Sequence, residues 1–194
     1  MRKQRVLTSL LLTMSLMAAP KALPSGTTSS IDYELRDILQ ATINQSDSFA
    51  DRFDAEVWLV DMSSRLEQFI ASDEERLNLL RLIHTEATLA GLQPELVLSV
   101  IQTESAFNQF AISRVGAQGL MQVMPFWKNE IGREDDNLTQ VATNLRYGCT
   151  ILSYYLDKEK GNLTRALARY NGSLGKTWYP ERVMINWERH WLVR

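Results

Sequence analysis

The chain has 194 residues, 45% hydrophobic and 23% charged, with a formal net charge of −2 and one cysteine. That balance suits a globular protein with a sizeable core and excludes disordered and fibrous classes; the charge offers no footprint for nucleic acid. A lone Cys149 cannot form an internal disulfide, so stability must come from packing, and this cysteine reads as a small core residue.

The N-terminus runs from a basic opening, "MRKQR", through an uncharged apolar stretch, "VLTSLLLTMSLMAA", to the breaker-rich "PKALPSG". That order predicts a secretory signal peptide over residues 1–22, because the apolar run falls short of the roughly 20 residues a spanning helix needs. The expected cleavage lies near Ala22, although Pro20 follows Ala18 and Ala19 and no clean small-x-small site stands out. No cysteine sits at the junction, so a lipid-modified N-terminus and a stable membrane anchor after cleavage are not expected. Without residues 1–22 the chain holds 17 basic against 23 acidic residues, a formal net charge of −6. An exported protein of the periplasm or cell envelope is the expectation.

Residues 23–30, within "ALPSGTTSS", read as a flexible linker, and 31–72 as a helical accessory segment. Apolar residues there recur at three and four: Ile31, Leu35, Ile38 and Leu39, then Phe53, Val57 and Val60, then Leu66, Phe69 and Ile70. This spacing predicts two helices over about 31–70. "SDEERLNLLRLIHTEATLAG" offers Ser72 as N-cap, Glu75 where a capping box wants it, and Gly91 as a stop. Pro94 suits the first turn of the next helix, "DNLTQVATNLRYGCTILSYYLDKEKGN" is a long amphipathic stretch stopped at Gly161, and Asn162 caps "LTRALARY". No convincing period-2 alternation occurs, so the fold should be all-α.

On the Pro94 helix, Val97, Val100, Ile101 and Glu104 share one face, which sets a carboxyl among aliphatic side chains. Three readings fit that placement: a structural carboxylate paired with an arginine, a helix end from which Glu104 reaches water, or an acid kept protonated by desolvation and able to act as a general acid. Spacing alone does not choose among them.

The residues after the glutamate do choose. "ESAFNQFAISRVGAQGLMQVMP" resembles the glutamate-containing segment of the soluble lytic transglycosylase family, goose-type-lysozyme-like enzymes that cut bacterial peptidoglycan. The match covers Glu104-Ser105, Ala111-x-Ser113, Gly116-Ala117, Gly119-Leu120-Met121-Gln122 and Met124-Pro125. "NLRYGCTILSYYL" resembles the family's N-x-x-x-G-x-x-x-L helix, and "GNLTRALARYNG" its segment ending in Tyr-Asn, here Tyr170-Asn171. Three motifs in order across about 100 residues make the likeness specific. It implies a lysozyme-like catalytic domain over 73–194, with Glu104 catalytic and Ser113, Gln122, Met124, Tyr170 and Asn171 binding substrate or completing the site. Tyr170 would bring a hydroxyl close to Glu104. Two departures stand out: "NGSLGKTWYPERV" replaces the family's Gly-Pro-Gly turn, and Phe126 and Trp127 occupy a step that is usually small and polar. Trp127, Trp178 and Tyr179 in these departures are candidates for stacking on sugar rings or for structural anchoring.

Most glycosidases need a second carboxyl, but Glu130, Glu134, Asp135 and Asp136 read as a solvated loop. The resemblance implies that Glu104 serves twice, first protonating the glycosidic oxygen and then accepting the proton of the muramoyl C6 hydroxyl, with no metal or organic cofactor. The expected partner is the peptidoglycan glycan strand, with no nucleic acid, and residues 31–72 offer a surface for an envelope protein. Two alternatives stay open here: a lysozyme-type muramidase in which water attacks, and a non-catalytic peptidoglycan-binding protein.

Overall fold

The structure is a computed structural model that describes residues 37–40, 42 and 48–193. The expected signal peptide and linker lie outside these residues, as does most of the stretch 31–47. From residue 51 onward the chain forms α1 (Arg52–Leu66), α2 (Asp73–Leu89), α3 (Pro94–Ser105), α4 (Trp127–Ile131), α5 (Val141–Lys158), α6 (Leu163–Tyr170) and α7 (Trp178–Asn186), followed by a π-helical turn (Trp187–Trp191). No strand forms among the described residues; two isolated bridges, Ile112 to Gln118 and Gln118 to Val123, shape the loop before α4. The fold is all-α, as the sequence predicts.

Local chemistry sets most helix starts. The Ser72 hydroxyl accepts from the Glu75 amide, and Asp73, Glu74 and Glu75 crowd the first turn, where the positive end of the helix dipole favours carboxylates. Asn162 caps α6 by accepting from the Arg165 amide at 3.0 Å. Pro94 opens α3, where its missing N–H leaves no bond unmade. Arg76, buried near the start of α2, donates to the Ile70 and Ala71 carbonyls at 2.8 Å and pairs with Asp73, which ties the α1–α2 connection down.

α3 is the central element. Leu96 through Ile101 are all buried, so the helix is enclosed on every side rather than along one stripe. It packs against α2, α7 and the π-helical turn, while α5 packs against α2 and α6, and α1 against α2. One apolar core joins Leu59 and Met62 of α1 to Val97 of α3, Leu145 of α5 and Trp191.

Two segments differ from the expectation. On α1 the stripe Phe53, Val57 and Val60 faces outward, Phe53 being 72% exposed, and the buried face is Ala55, Leu59, Met62 and Leu66. Both stripes have helical spacing; the one that continues to the end of the helix, at Leu66, is the one that packs. The C-terminal helix α7 and its π-helical continuation had no expected counterpart. The N-cap residue of α7, Thr177, makes no side-chain cap bond, so the local start signal is weak.

Candidate active site

Glu104 occupies the last turn of α3, and the loop beyond it is built by unusual backbone. Ala106 and Phe107 both take left-handed conformations (φ 48° and 66°), as does Gln122 (φ 50°). Such residues persist only where their surroundings hold them. Phe107 is held by its ring, buried against Phe69 at 4.9 Å and Trp191 at 5.6 Å. The Ser105 hydroxyl donates to the Leu120 carbonyl at 2.8 Å and closes the loop back onto the helix end.

Asn144 of α5, 1% exposed, anchors the far side of this loop. Its side-chain nitrogen donates to the Gln118 and Leu138 carbonyls at 2.8 and 2.7 Å, and its oxygen accepts from the Met121 amide at 2.7 Å. Gly119 must be glycine: φ is +77°, and a Cβ would lie 2.3 Å from the Asn144 amide nitrogen and 2.5 Å from the Leu138 carbonyl. The close approach there is to the Asn144 side chain and the Leu138 backbone. At Gly148 a Cβ would stand 2.3 Å from the Met121 sulfur. The N-x-x-x-G-x-x-x-L pattern thus has a physical content: Asn144 clamps the loop, Gly148 admits Met121, and Leu152 fills the core.

Around the Glu104 carboxyl the structure gathers three polar side chains. The Tyr179 hydroxyl donates to Oε1 at 2.6 Å, and the Asn171 side chain, at the end of α6, favours the charged carboxyl. The Tyr170 hydroxyl donates to the Met121 carbonyl at 2.7 Å and lies within the electrostatic reach of Glu104. Burial raises the Glu104 pKa from 4.5 to about 7, against the opposing effect of Tyr179 and Asn171, which favour the charged form. Both phenols are held well above their usual value, by burial first and then by the Glu104 charge, so they remain neutral donors. Among the described residues no carboxylate is an influence on Glu104, and of its suggested seconds Asp136 accepts from Tyr147 while Glu130, Glu134 and Asp135 are exposed. A half-buried acid that changes charge near neutrality, beside donors that can stabilise its anion, can both give and take a proton.

Of the residues singled out in the sequence, Glu104, Tyr170 and Asn171 come together here. Ser113 and Gln122 direct their side chains to the loop itself: the Ser113 hydroxyl accepts from the Ala117 amide at 3.0 Å, and the Gln122 amide nitrogen donates to the Ala111 and Gly119 carbonyls at 3.1 and 2.9 Å. That leaves the Gln122 carbonyl oxygen as the part of this side chain free to accept. Met124 is half-buried, and its backbone carbonyl accepts from Trp127 at the entry to α4. The phenol bound directly to Glu104 is Tyr179, which the sequence offers only as a sugar-stacking or anchoring aromatic. It stands 75 residues from Glu104 in a helix with no sharp start signal, so no local pattern reveals the pairing.

A family profile described as the transglycosylase SLT domain matches residues 81–183, more than half of the chain. The chain belongs to this family. The matched region runs from α2 into α7, so the SLT domain contains Glu104, Asn144, Asn171 and both phenols, while α1 and the π-helical turn lie outside it. Among curated relatives, a "Transglycosylase" of Enterobacteria phage PRD1 is 37% identical over 103 residues, covering 50% of this chain and 38% of its own. The "Membrane-bound lytic murein transglycosylase C" of Yersinia pestis (strain Pestoides F) is 31% identical over 112 residues, covering 50% of this chain and 31% of its own. The chain therefore spans about a third of the length of these relatives. An inactive mutant of the lytic transglycosylase Slt from Pseudomonas aeruginosa aligns over 77% of this chain and 30% of its own at 22% identity, with a TM-score of 0.44, too distant a likeness to carry weight.

Proposed function

We propose that this protein is a lytic transglycosylase that cleaves the β-1,4 bond between N-acetylmuramic acid and N-acetylglucosamine in peptidoglycan and leaves a 1,6-anhydromuramoyl end. The observation that carries the reading is Glu104, a carboxyl poised at about pH 7 by burial and bonded by the Tyr179 hydroxyl. Membership of the SLT domain family supports the reaction class.

In the first step the protonated Glu104 gives its proton to the glycosidic oxygen as the bond to C1 breaks, and the substrate's own acetamido group stabilises the positive centre. The newly formed carboxylate is stabilised by the Tyr179 hydroxyl and by Asn171. In the second step it removes the proton of the muramoyl C6 hydroxyl as that oxygen closes on C1, which restores the acid. The nucleophile is already part of the substrate, so proximity takes the place of a second carboxylate. Ser113, Gln122 and Met124 shape the loop wall against which the sugar lies, Gln122 offering its carbonyl oxygen to an amide or hydroxyl donor. The Tyr170 bond to the Met121 carbonyl keeps that wall at a set distance from α6.

The protein in this reading works in the periplasm or cell envelope, where its substrate is, consistent with the signal-like N-terminus and the overall acidity. Among the described residues no helix is long and apolar enough to cross a membrane. Digestion of purified peptidoglycan by the native protein and by Glu104→Gln, with mass spectrometry of the released sugar ends, tests the proposal. Anhydro ends from the native protein alone are expected. Hydrated reducing ends would make it a muramidase, and no release under varied conditions would make it a binding protein.

A further inference from the structure

Between α4 and α5 lies a cleft of about 460 Å³ with aromatic walls, Phe126 and Trp127 at the entry to α4 and Tyr154 and Tyr155 on α5. Its size falls in the range of small-ligand sites. Phe126 and Trp127 sit 5.2 Å apart, Trp127 meets Tyr155 edge-on at 6.3 Å, and Tyr155 lies 5.3 Å from Tyr154. Phe126 is 54% and Tyr154 52% exposed, so half of each ring faces water and the protein's own core accounts for neither. Glu130 and Lys158 supply the charged groups of the cleft, Lys158 lying 5.3 Å above the Tyr154 ring and donating to its hydroxyl at 3.3 Å.

Two features bear on what the cleft takes. Phe126 follows Met124 by two residues, at most about 7 Å of backbone, so the cleft opens beside the loop that carries Gln122. The charged side chains that line the cleft are balanced, Glu130 against Lys158, so it holds no cationic cluster that would recognise an anion. A peptide stem bearing several carboxylates would find a single cation to pair with, whereas a neutral sugar has an apolar ring face for aromatics and hydroxyl and amide groups for both charged side chains.

We propose that this cleft is a second saccharide site, which takes a neutral N-acetylhexosamine ring of a glycan with its apolar face on Phe126 and its polar groups toward Glu130 and Lys158. The proposal rests on the peptidoglycan reading above and extends it to a site on residues where the chain departs from the family's small, polar step. Tyr154 closes the side of the cleft opposite α4.

The test uses the full chain carrying Glu104→Gln, labelled with 15N and titrated with the neutral β-1,4-linked tetramer of N-acetylglucosamine, with the Trp127 indole N–H followed by NMR. That resonance should shift on titration, and adding Phe126→Ala and Tyr154→Ala should weaken the affinity it reports roughly 3- to 10-fold. Both side chains are more than half exposed, so the unfolding midpoint should hardly move and the loss is not one of folding. An unmoved Trp127 signal, or equal affinity in the triple variant, overturns the proposal. So does a Trp127 signal that responds to a glycan-free stem peptide and not to the tetramer, which would make the cleft a peptide site. Anhydro-end formation by the native protein is read in parallel: anhydro ends without a Trp127 response sink the cleft alone, and a Trp127 response without glycan cleavage supports the cleft while removing the catalytic reading.

Discussion

Replacing Glu104 with glutamine should make the folded protein more stable above neutral pH while abolishing its chemistry. The carboxyl titrates at about 7 in the fold and near 4.5 when exposed. Between those values the unfolded chain has released the proton that the folded chain still holds, so native stability falls as pH rises from 4.5 and levels off above about 7. The full difference corresponds to about 3 kcal/mol against the ionised native form, of which about 2.5 kcal/mol develops between roughly pH 5 and pH 8. Glutamine keeps an oxygen to accept from Tyr179 and carries no charge at either pH, so the variant lacks this slope. Urea unfolding of both proteins at about pH 5 and about pH 8, with the variant's pH change subtracted from the native one, isolates the contribution of Glu104 because the other titrating groups are shared. The expected remainder is about 2.5 kcal/mol, which in thermal unfolding corresponds to a relative gain in the variant's Tm of roughly 5–10 °C at the higher pH. Parallel pH profiles, or a native protein that outlasts the variant at about pH 8, would refute the buried-acid argument.

Tyr179→Phe removes a donor that favours the Glu104 anion, so the alkaline limb of kcat/KM should move upward from about 7 and kcat should fall; a changed KM with an unmoved limb would count against the assignment. Asn144→Ala leaves the Met121 amide and two carbonyls without a partner in a buried place, which should cost about 3 kcal/mol in urea unfolding and speed hydrogen exchange at the Met121 amide; a loss below about 1 kcal/mol would mean the clamp is not needed. Gly148→Ala should destabilise by about 1–3 kcal/mol by pressing on Met121, and Met121→Ala in the same chain should cost less than in the native one; strict additivity would show that the two do not touch.

Much of the fold was legible because its signals are local. The Ser72 and Asn162 caps and the Pro94 start each act within a single turn, and the structure places helices where they indicate. Segments whose outcome depends on distant partners were not legible. α1 carries two apolar stripes of helical spacing, and only packing against α2 and the π-helical turn chose Leu59 and Met62 over Phe53 and Val57. α7 and the π-helical turn lack a strong start; they are fastened from outside, by the Trp191 indole donating to Gln102 at 2.7 Å and the Asn186 amide donating to Thr103 at 2.9 Å.

The site divides along the same line. By itself the sequence determined that a carboxyl would stand on the enclosed face of a helix end, followed by a glycine-bearing loop and later by Tyr170 and Asn171, because spacing along one helix and recognisable motifs need no knowledge of distant contacts. Only the tertiary structure decided the company that carboxyl keeps. Burial in the packed fold holds Glu104 near neutrality, and the hydroxyl that touches it belongs to Tyr179, brought from 75 residues away when α7 packs against α3. Hydrogen bonds over such separations arise from how whole helices pack, which no local pattern encodes.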